Sequence, residues 1–211
     1  MVGYSQINLQ NILNRTFNEG SQKGEDKAKE IISSFSCPFN DDIEYFLHNK
    51  AIEFSKQGLA KTHLVFAPHQ GKNVLVGYYT LCANKYFIIS DKNIKSNMRS
   101  RLKKFAIHDV KLKQFSISAP LIAQLGKNFT NNYNTLITGD DLLQMACNKI
   151  DVLQQELGGK LTYLECENNQ YLIQFYENNG FINMGERTMD KNESHSKENK
   201  ALIQMIKYTK R

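Results

Sequence analysis

The sequence predicts a mixed α/β (α+β) domain, with helices on both faces of one central sheet. Three observations lead there. The second half reads strand, polar loop, helix, strand, helix, strand, strand, and the first half reads helix, strand, strand. Short apolar runs at 120–126, 160–166 and 201–207 read as buried strands. Leu142, Leu143, Ala146, Ile150, Leu153 and Leu157 recur at helical spacing and mark one long amphipathic helix. An interleaved order of this kind needs a sheet packed against helices. A chain of 211 residues suffices for one well-packed domain and an extra arm.

In chain order, residues 1–36 read as an N-terminal arm and residues 37–211 as the domain. Within the arm, Gly3–Phe17 has scattered apolar residues and Asn18–Lys29 is polar, with two glycines. Cys37-Pro38 breaks the chain. Asp41 or Asp42 can cap a helix carrying Ile43, Phe46, Leu47, Ala51, Ile52 and Phe54, which ends near Gly58. Thr62–Ala67 and Val74–Cys82 read as a hairpin across the turn at 68–73, and Tyr86–Ser90 continues it or adds a strand. Residues 91–113 form a basic insertion with a helical part around 94–105. Phe115–Leu125 is a strand, as is Lys160–Cys166. Asn168-Asn169 starts a helix that ends at Asn179-Gly180, and Phe181 opens the next strand. Asp190–Lys200 is a charged loop, and Ala201–Lys207 is the last strand.

Composition narrows the function. No apolar run approaches the roughly 20 residues that cross a bilayer, and the first residues do not form a secretory signal. The expected setting is cytoplasmic, without a membrane partner. The four cysteines stand singly, without metal-ligand spacing, so they read as reduced thiols and no metal site is expected. His63, His69, His108 and His195 show no partner pattern, and no Ser-His-Asp arrangement is visible.

The net charge of +6 is local, because Lys92, Lys95, Arg99, Arg101, Lys103 and Lys104 fall within 92–104 with no acid among them. Such a run is either a solvated surface or a contact for phosphates of a nucleic acid. A second phosphate signal is the strand 120–126, the asparagine-rich loop after it, and a helix start that Thr138 or Asp140 can cap. Free N–H groups and the positive dipole end of a helix favour an anion there.

Three local patterns resemble the GNAT superfamily of acetyl-CoA-dependent N-acetyltransferases. Val76-Gly77-Tyr78-Tyr79-Thr80-Leu81 is similar to a V-G-Y-x-x-L sheet strand of that family. Gln124-Leu125-Gly126, followed by the loop and Gly139-x-x-Leu142-Leu143, resembles its acetyl-CoA strand, loop and helix. Asn169-x-x-Leu172-x-x-Phe175-Tyr176, with Gly180-Phe181 after it, resembles N-x-x-A-x-x-F-Y-x-x-x-G-F. The resemblance covers roughly residues 40–209 and implies a GNAT-like mixed, mostly antiparallel sheet. The family's phosphate loop reads Q/R-x-x-G-x-G/A. Here Asn134 and Ile137 stand at its first two fixed places, and only Gly139 matches.

The resemblance implies acetyl-CoA as co-substrate. The pantetheine arm would pair with backbone near Leu125, Gly126 and Lys127, where strand 121–126 is expected to splay from strand 160–166. The pyrophosphate would lie against N–H groups of residues 135–140, among them Ile137, Thr138, Gly139 and Asp140. Tyr176 matches the tyrosine that protonates the departing thiolate, and a phenol with a pKa near about 10 is a reasonable donor to it. Asn169 would orient the cofactor arm or cap its helix. Glu165 and Glu167 alternate with Cys166, share one face, and are candidate bases for the amine. The implied reaction is acetyl transfer to a primary amine of open identity, by direct attack in a ternary complex. One alternative is a toxin-like enzyme that acetylates charged tRNA, since residues 46–81 look similar to such toxins and segment 92–104 suits tRNA. The other is a non-catalytic protein on the same fold that binds acetyl-CoA or nucleic acid. A final exposed strand would allow a homodimer.

Overall fold

The computed structural model describes residues 3–14, 21–92, 94–189 and 201–209. They form two compact units, one from 1–82 and 123–146, the other from 83–122 and 147–211. The charged loop expected at 190–200 and the stretch 15–20 lie outside the described residues.

The first unit begins with strand β1 (Ser5–Asn8), helix α1 (Leu9–Asn14) and helix α2 (Ser21–Ser33). The described residues of the N-terminal arm are built into this unit. β1 pairs antiparallel with β2 (Lys61–His69), and β2 pairs antiparallel with β3 (Lys72–Ser90). The β2–β3 turn is two residues long. Gln70 and Gly71 both have positive φ, 48° and 75°, which suits the right-handed twist of a hairpin. Leu9, Ile12 and Leu13 of α1, Ala28 and Ile32 of α2, and Phe35 share one core with Leu47, Leu64, Leu75 and Tyr78.

The helix expected from 43 to 58 is two helices, α3 (Asp41–Asn49) and α4 (Ala51–Lys56), broken at Lys50. Its cap is neither Asp41 nor Asp42. The Asn40 side chain accepts from the Ile43 N–H at 3.2 Å, and the two aspartates occupy the first turn, where the helix dipole favours negative charge. The break sets Phe46 and Phe54 edge to face at 5.5 Å.

The last residues of strand β5 (Gln114–Lys127) also belong to the first unit and lie beside β3. The contact is close because both strands place a glycine there. A Cβ on Gly77 would stand 2.8 Å from the Gly126 carbonyl oxygen, and one on Gly126 would stand 2.5 Å from Ile43 Cγ2. Tyr78 then reaches inward, where its hydroxyl donates to the Ile43 carbonyl at 2.6 Å and its ring meets Phe35 edge to face. Tyr79 stacks on His63 and donates to Gln6. The V-G-Y-Y sequence of β3 is thus explained residue by residue by packing.

The second unit has the strand order β3, β5, β6 (Leu161–Glu167), β8 (Ala201–Tyr208), β7 (Ile182–Thr188), with β4 (Ala106–Asp109) paired to β5. Helices α5 (Ser96–Leu102) and α7 (Gln170–Asn178) belong to it, as does the second half of α6 (Gly139–Leu157). β5 and β6 are parallel and pair at Leu121↔Tyr163, whereas β6–β8, β7–β8 and β4–β5 are antiparallel. The expected mixed, mostly antiparallel sheet flanked by helices is therefore present. The last strand differs from expectation. β8 is paired on both sides, by β6 and β7, and offers no edge to a second copy.

Within the insertion, helix α5 lies inside the expected helical stretch, and β4 forms a hairpin with β5 whose turn places Lys113 at φ 52°. Among the described residues, no helix is long and apolar enough to cross a membrane.

Gly77→Ala should destabilise the protein by about 1–3 kcal/mol in urea unfolding, because the new methyl meets backbone that cannot give way. Gly126→Ala meets mainly a side chain, so Ile43→Ala should partly rescue it. Equal costs for Gly126→Ala in the two backgrounds would refute the contact as the cause.

Candidate functional site

The first unit holds the expected anion-binding residues. Leu125, Gly126 and Lys127 end β5, and Gly126 is buried between Ile43, Phe35 and Tyr78. The chain then meets Asn128, which is fully buried. Its Nδ2 donates to the Leu75 carbonyl at 2.8 Å. Its Oδ1 accepts from the N–H groups of Ser36 at 3.0 Å and Thr130 at 3.1 Å. The Asn128 N–H donates to Val76 O at 2.9 Å. One amide thus ties β3, the end of the arm and the loop together. No sequence pattern marked it.

The loop that follows is a pair of 3₁₀ turns over Thr130–Leu136, separated by Asn131 and Asn132 in left-handed conformation (φ 49° and 59°). Asparagine tolerates that conformation better than other side-chain-bearing residues, which accounts for the asparagine-rich sequence. Asn134 is half-buried in the second turn. Ile137 is extended and its side chain is buried, so it offers a ligand only backbone. Gly139 opens α6, and Asp140 is exposed in its first turn.

The cap of α6 is a reciprocal box. Thr138 Oγ1 accepts from the Asp141 N–H at 3.0 Å. The Asp141 carboxylate accepts from the Thr138 hydroxyl at 2.7 Å and its N–H at 3.3 Å. The expected cap Thr138 is right, and the Thr-x-x-Asp spacing was the signal for Asp141. The Tyr4 hydroxyl donates to the Leu136 carbonyl at 3.0 Å and to Asp141 at 3.4 Å, so the N-terminal arm supports the loop. The hydrogen bonds from Thr138 and Tyr4 hold the Asp141 carboxyl below its ordinary value. The helix start therefore carries its own carboxylate, and residues 128–148 include no lysine or arginine. An anion placed at this helix start would meet the N–H groups of the first turn rather than a cationic side chain from 128–148.

The second unit holds the expected acid and bases. Tyr176 is half-buried on α7, with Phe175 and Phe181 edge to face at 5.0 and 5.8 Å. Burial, reinforced by Cys166 and Cys147, pushes its phenol well above the ordinary value, so the hydroxyl stays protonated through alkaline pH. Burial also pushes the Cys166 thiol up to about 11, which leaves it a poor nucleophile near neutrality. Asn169 caps α7, its side chain accepting from the Tyr171 N–H at 2.8 Å.

Glu165 is gripped by Arg187 through both guanidinium edges, Nε to Oε1 at 2.5 Å and Nη2 to Oε2 at 2.6 Å. The Tyr163 hydroxyl also donates to Oε1, and that hydroxyl accepts from Gln204 Nε2 at 2.9 Å. Glu167 ends β6 on the same face. The structure thus joins Glu165 to Tyr163, two residues before it on the same strand, and to Arg187 on β7, which reaches it across β8.

Of the basic run, Arg99 and Arg101 are used inside the unit. Arg99 Nη2 donates to the Asp91 carbonyl at 2.9 Å, and the Arg101 guanidinium lies 3.8 Å above the Tyr208 ring. Asp91 is buried and its carboxylate meets His108 Nε2 at 2.8 Å, which gives that histidine a structural place. Lys92, Lys95, Lys103 and Lys104 are exposed. Among the described residues, no group of three His, Cys, Asp or Glu is placed to hold a metal.

No family model matches the sequence, and no curated protein matches it. Solved structures do. AtaT complexed with acetyl-methionyl-tRNAfMet shares 19% identity, 82% of this chain and 85% of that one, with a TM-score of 0.55. A tyrosine-to-phenylalanine variant of KacT shares 16% identity, 84% and 87% coverage, and a TM-score of 0.55. AtaTR bound with acetyl-CoA shares 14% identity, 98% and 93% coverage, and a TM-score of 0.54. At such identities the likeness establishes the fold, and it is the fold the sequence predicts.

Asn128→Ala strips partners from two N–H groups and one carbonyl, so a loss of about 3 kcal/mol or more in urea unfolding is expected. A loss below about 1 kcal/mol would show that these groups find water instead. Thr138→Ala should cost about 1 kcal/mol. Because the Asp141 carboxyl is lowered on folding, its contribution is full above its ordinary value of 3.8 and fades as the pH falls below it. Asp141→Asn should remove that part of the acid dependence, and an unchanged acid profile would contradict the box.

Proposed function

We propose that this chain is an N-acetyltransferase that moves acetyl from acetyl-CoA to a primary amine by direct attack in a ternary complex. The observation that carries the reading is the fold shared, over 98% of this chain, with a solved protein bound to acetyl-CoA. Four free cysteines suit a reducing cytoplasm, where acetyl-CoA is at hand.

The residues fit the co-substrate through backbone more than through charge. The first-turn N–H groups of α6 face the pyrophosphate, and backbone at Leu125 and Lys127 pairs with the pantetheine arm. With Asp141 at the helix start and no cation from 128 to 148, affinity is expected to be modest and weakly salt-dependent. When bound, acetyl-CoA supplies an activated thioester. Tyr176 donates its hydroxyl proton toward the departing sulfur; burial keeps that proton in place near neutrality and also makes the phenol a weaker acid. Asn169 holds the start of α7, and so the helix that carries Tyr176. Glu165 and Glu167 are the candidate bases, and both oxygens of Glu165 are engaged by Arg187. Glu165 then ties β6 to β7 across β8.

A second reading concerns the acceptor. AtaT, a structural neighbour, has been captured with acetyl-methionyl-tRNAfMet, which supports the amino group of a charged tRNA as the amine. Calorimetry with acetyl-CoA, followed by a thiol-release assay on polyamines, protein lysines and charged tRNA, tests both readings. Tyr176→Phe should lower kcat by about 10²-fold or more while leaving KM for acetyl-CoA unchanged. An unchanged kcat would remove Tyr176 from the chemistry. Absence of binding at millimolar acetyl-CoA would end the enzyme reading.

A further inference from the structure

We infer that residues 83–118 form a docking platform for an acidic polypeptide segment that carries aliphatic side chains. The inference does not rest on the acetyltransferase reading.

Two observations meet in this stretch of the second unit. The first is an uncovered apolar face. Along β3, Phe87 and Ile89 point into the core with Phe115 and Ile117, so Tyr86 and Ile88 point the other way and are half exposed or more. Ile107 on β4 stands opposite Ser116, which alternates with the buried Phe115 and Ile117, so Ile107 shares that outward face. Val110 and Leu112 continue it into the hairpin turn. Ile107, Val110 and Leu112 are 73%, 72% and 65% exposed. Side chains of this kind clustered on one hairpin are costly to leave in water and mark an interaction surface.

The second observation is charge. Residues 83–118 hold nine lysines and arginines against Asp91 and Asp109, a net of +7 (9 − 2) in a chain whose total is +6. Both acids are engaged, Asp91 buried against His108 and Asp109 accepting from the Lys111 and Leu112 N–H groups of the turn at 2.9 Å. The exposed Lys111 and Lys113 alternate with Val110 and Leu112, and the exposed Lys103 and Lys104 precede β4.

Charge and apolarity together select the occupant. A second copy would bring +7 against +7, which opposes association through this face. A nucleic acid would use forked arginines and stacking aromatics. Here both arginines are committed, Arg99 to Asp91 and Arg101 to Tyr208, and the exposed large apolar side chains are aliphatic except for Tyr86 and for Phe105, which meets Tyr208 edge to face. An acidic segment with interspersed Leu, Ile or Val satisfies both the lysines and the aliphatics.

The test is fluorescence anisotropy of the full chain with two labelled peptides of equal length and charge, one alternating Leu with Glu and one alternating Ser with Glu. A short single-stranded RNA is the third probe. The Leu/Glu peptide should bind at least about tenfold more tightly than the Ser/Glu peptide. The combined variant Ile107→Ser, Val110→Ser, Leu112→Ser should erase that difference. Lys111→Ser with Lys113→Ser should weaken both peptides, and it serves alone if the triple variant does not fold. Equal affinity for the two peptides, or no binding of the Leu/Glu peptide, overturns the proposal. RNA bound more tightly than either peptide and unaffected by the triple variant assigns the surface to nucleic acid. A wild-type dimer that the triple variant turns into a monomer in sedimentation assigns it to a second copy.

Discussion

The buried amide of Asn128 is the interaction on which the first unit's site depends. It answers one carbonyl and two N–H groups from three separate stretches, and its own N–H is bonded to Val76. An uncharged side chain with both a donor and an acceptor is needed, since a carboxylate could not donate to Leu75 and an aliphatic residue would leave all three groups unpaired. The position lies two residues after Gly126, where a side chain would stand 2.5 Å from Ile43 Cγ2. Together they set where the strand stops and the loop begins, and so where the start of α6 lies along the chain.

The second unit relies on two carboxylates taken out of water, each met by a nearby arginine. Asp91 receives His108 on its carboxylate and Arg99 on its carbonyl, and so pins the basic insertion at its base. Glu165 receives Arg187 bidentately and Tyr163 from the side. Burying a charge requires such full pairing. The same requirement divides the basic run. Its arginines are engaged by Asp91 and Tyr208, Arg101 while still exposed, and its lysines remain at the surface. A row of six cations in the sequence is therefore two populations in the structure, one structural and one available to a partner.

Much of the fold was legible because it rests on short-range pattern. The spacing of Leu142 to Ile150 marked α6, and the valine- and tyrosine-rich run 74–82 after the turn at 68–73 marked the hairpin. Thr138 could be named as a cap, and Asn169 as the start of α7, because capping depends on residues two or three positions apart. The break of the first predicted helix at Lys50 was not legible, since no glycine or proline announces it. The burial of the last strand on both edges was equally hidden. Its apolar sequence shows that both faces are covered, but neighbours along a sheet edge are backbone groups with no side-chain signature. Among the site residues, the degenerate phosphate loop was visible as a departure from pattern. That the helix start already holds Asp141, and that Glu165 is paired with Arg187, was not.

The sequence by itself determined the elements, their polarity, the placement of charge and the tyrosine, asparagine and glycine positions that support an acetyltransferase reading. These are local properties, set by periodicity, turn chemistry and composition. Only the tertiary structure decided which charges are spent on the fold and which face outward, which glycines are required by close approach, and which carboxylate is gripped by an arginine. Those outcomes depend on contacts between residues far apart in the chain, such as Asn128 with Ser36, Arg101 with Tyr208 and Arg187 with Glu165. Pairing of that kind is set by the register of strands and the burial of their faces, which no single stretch of sequence encodes.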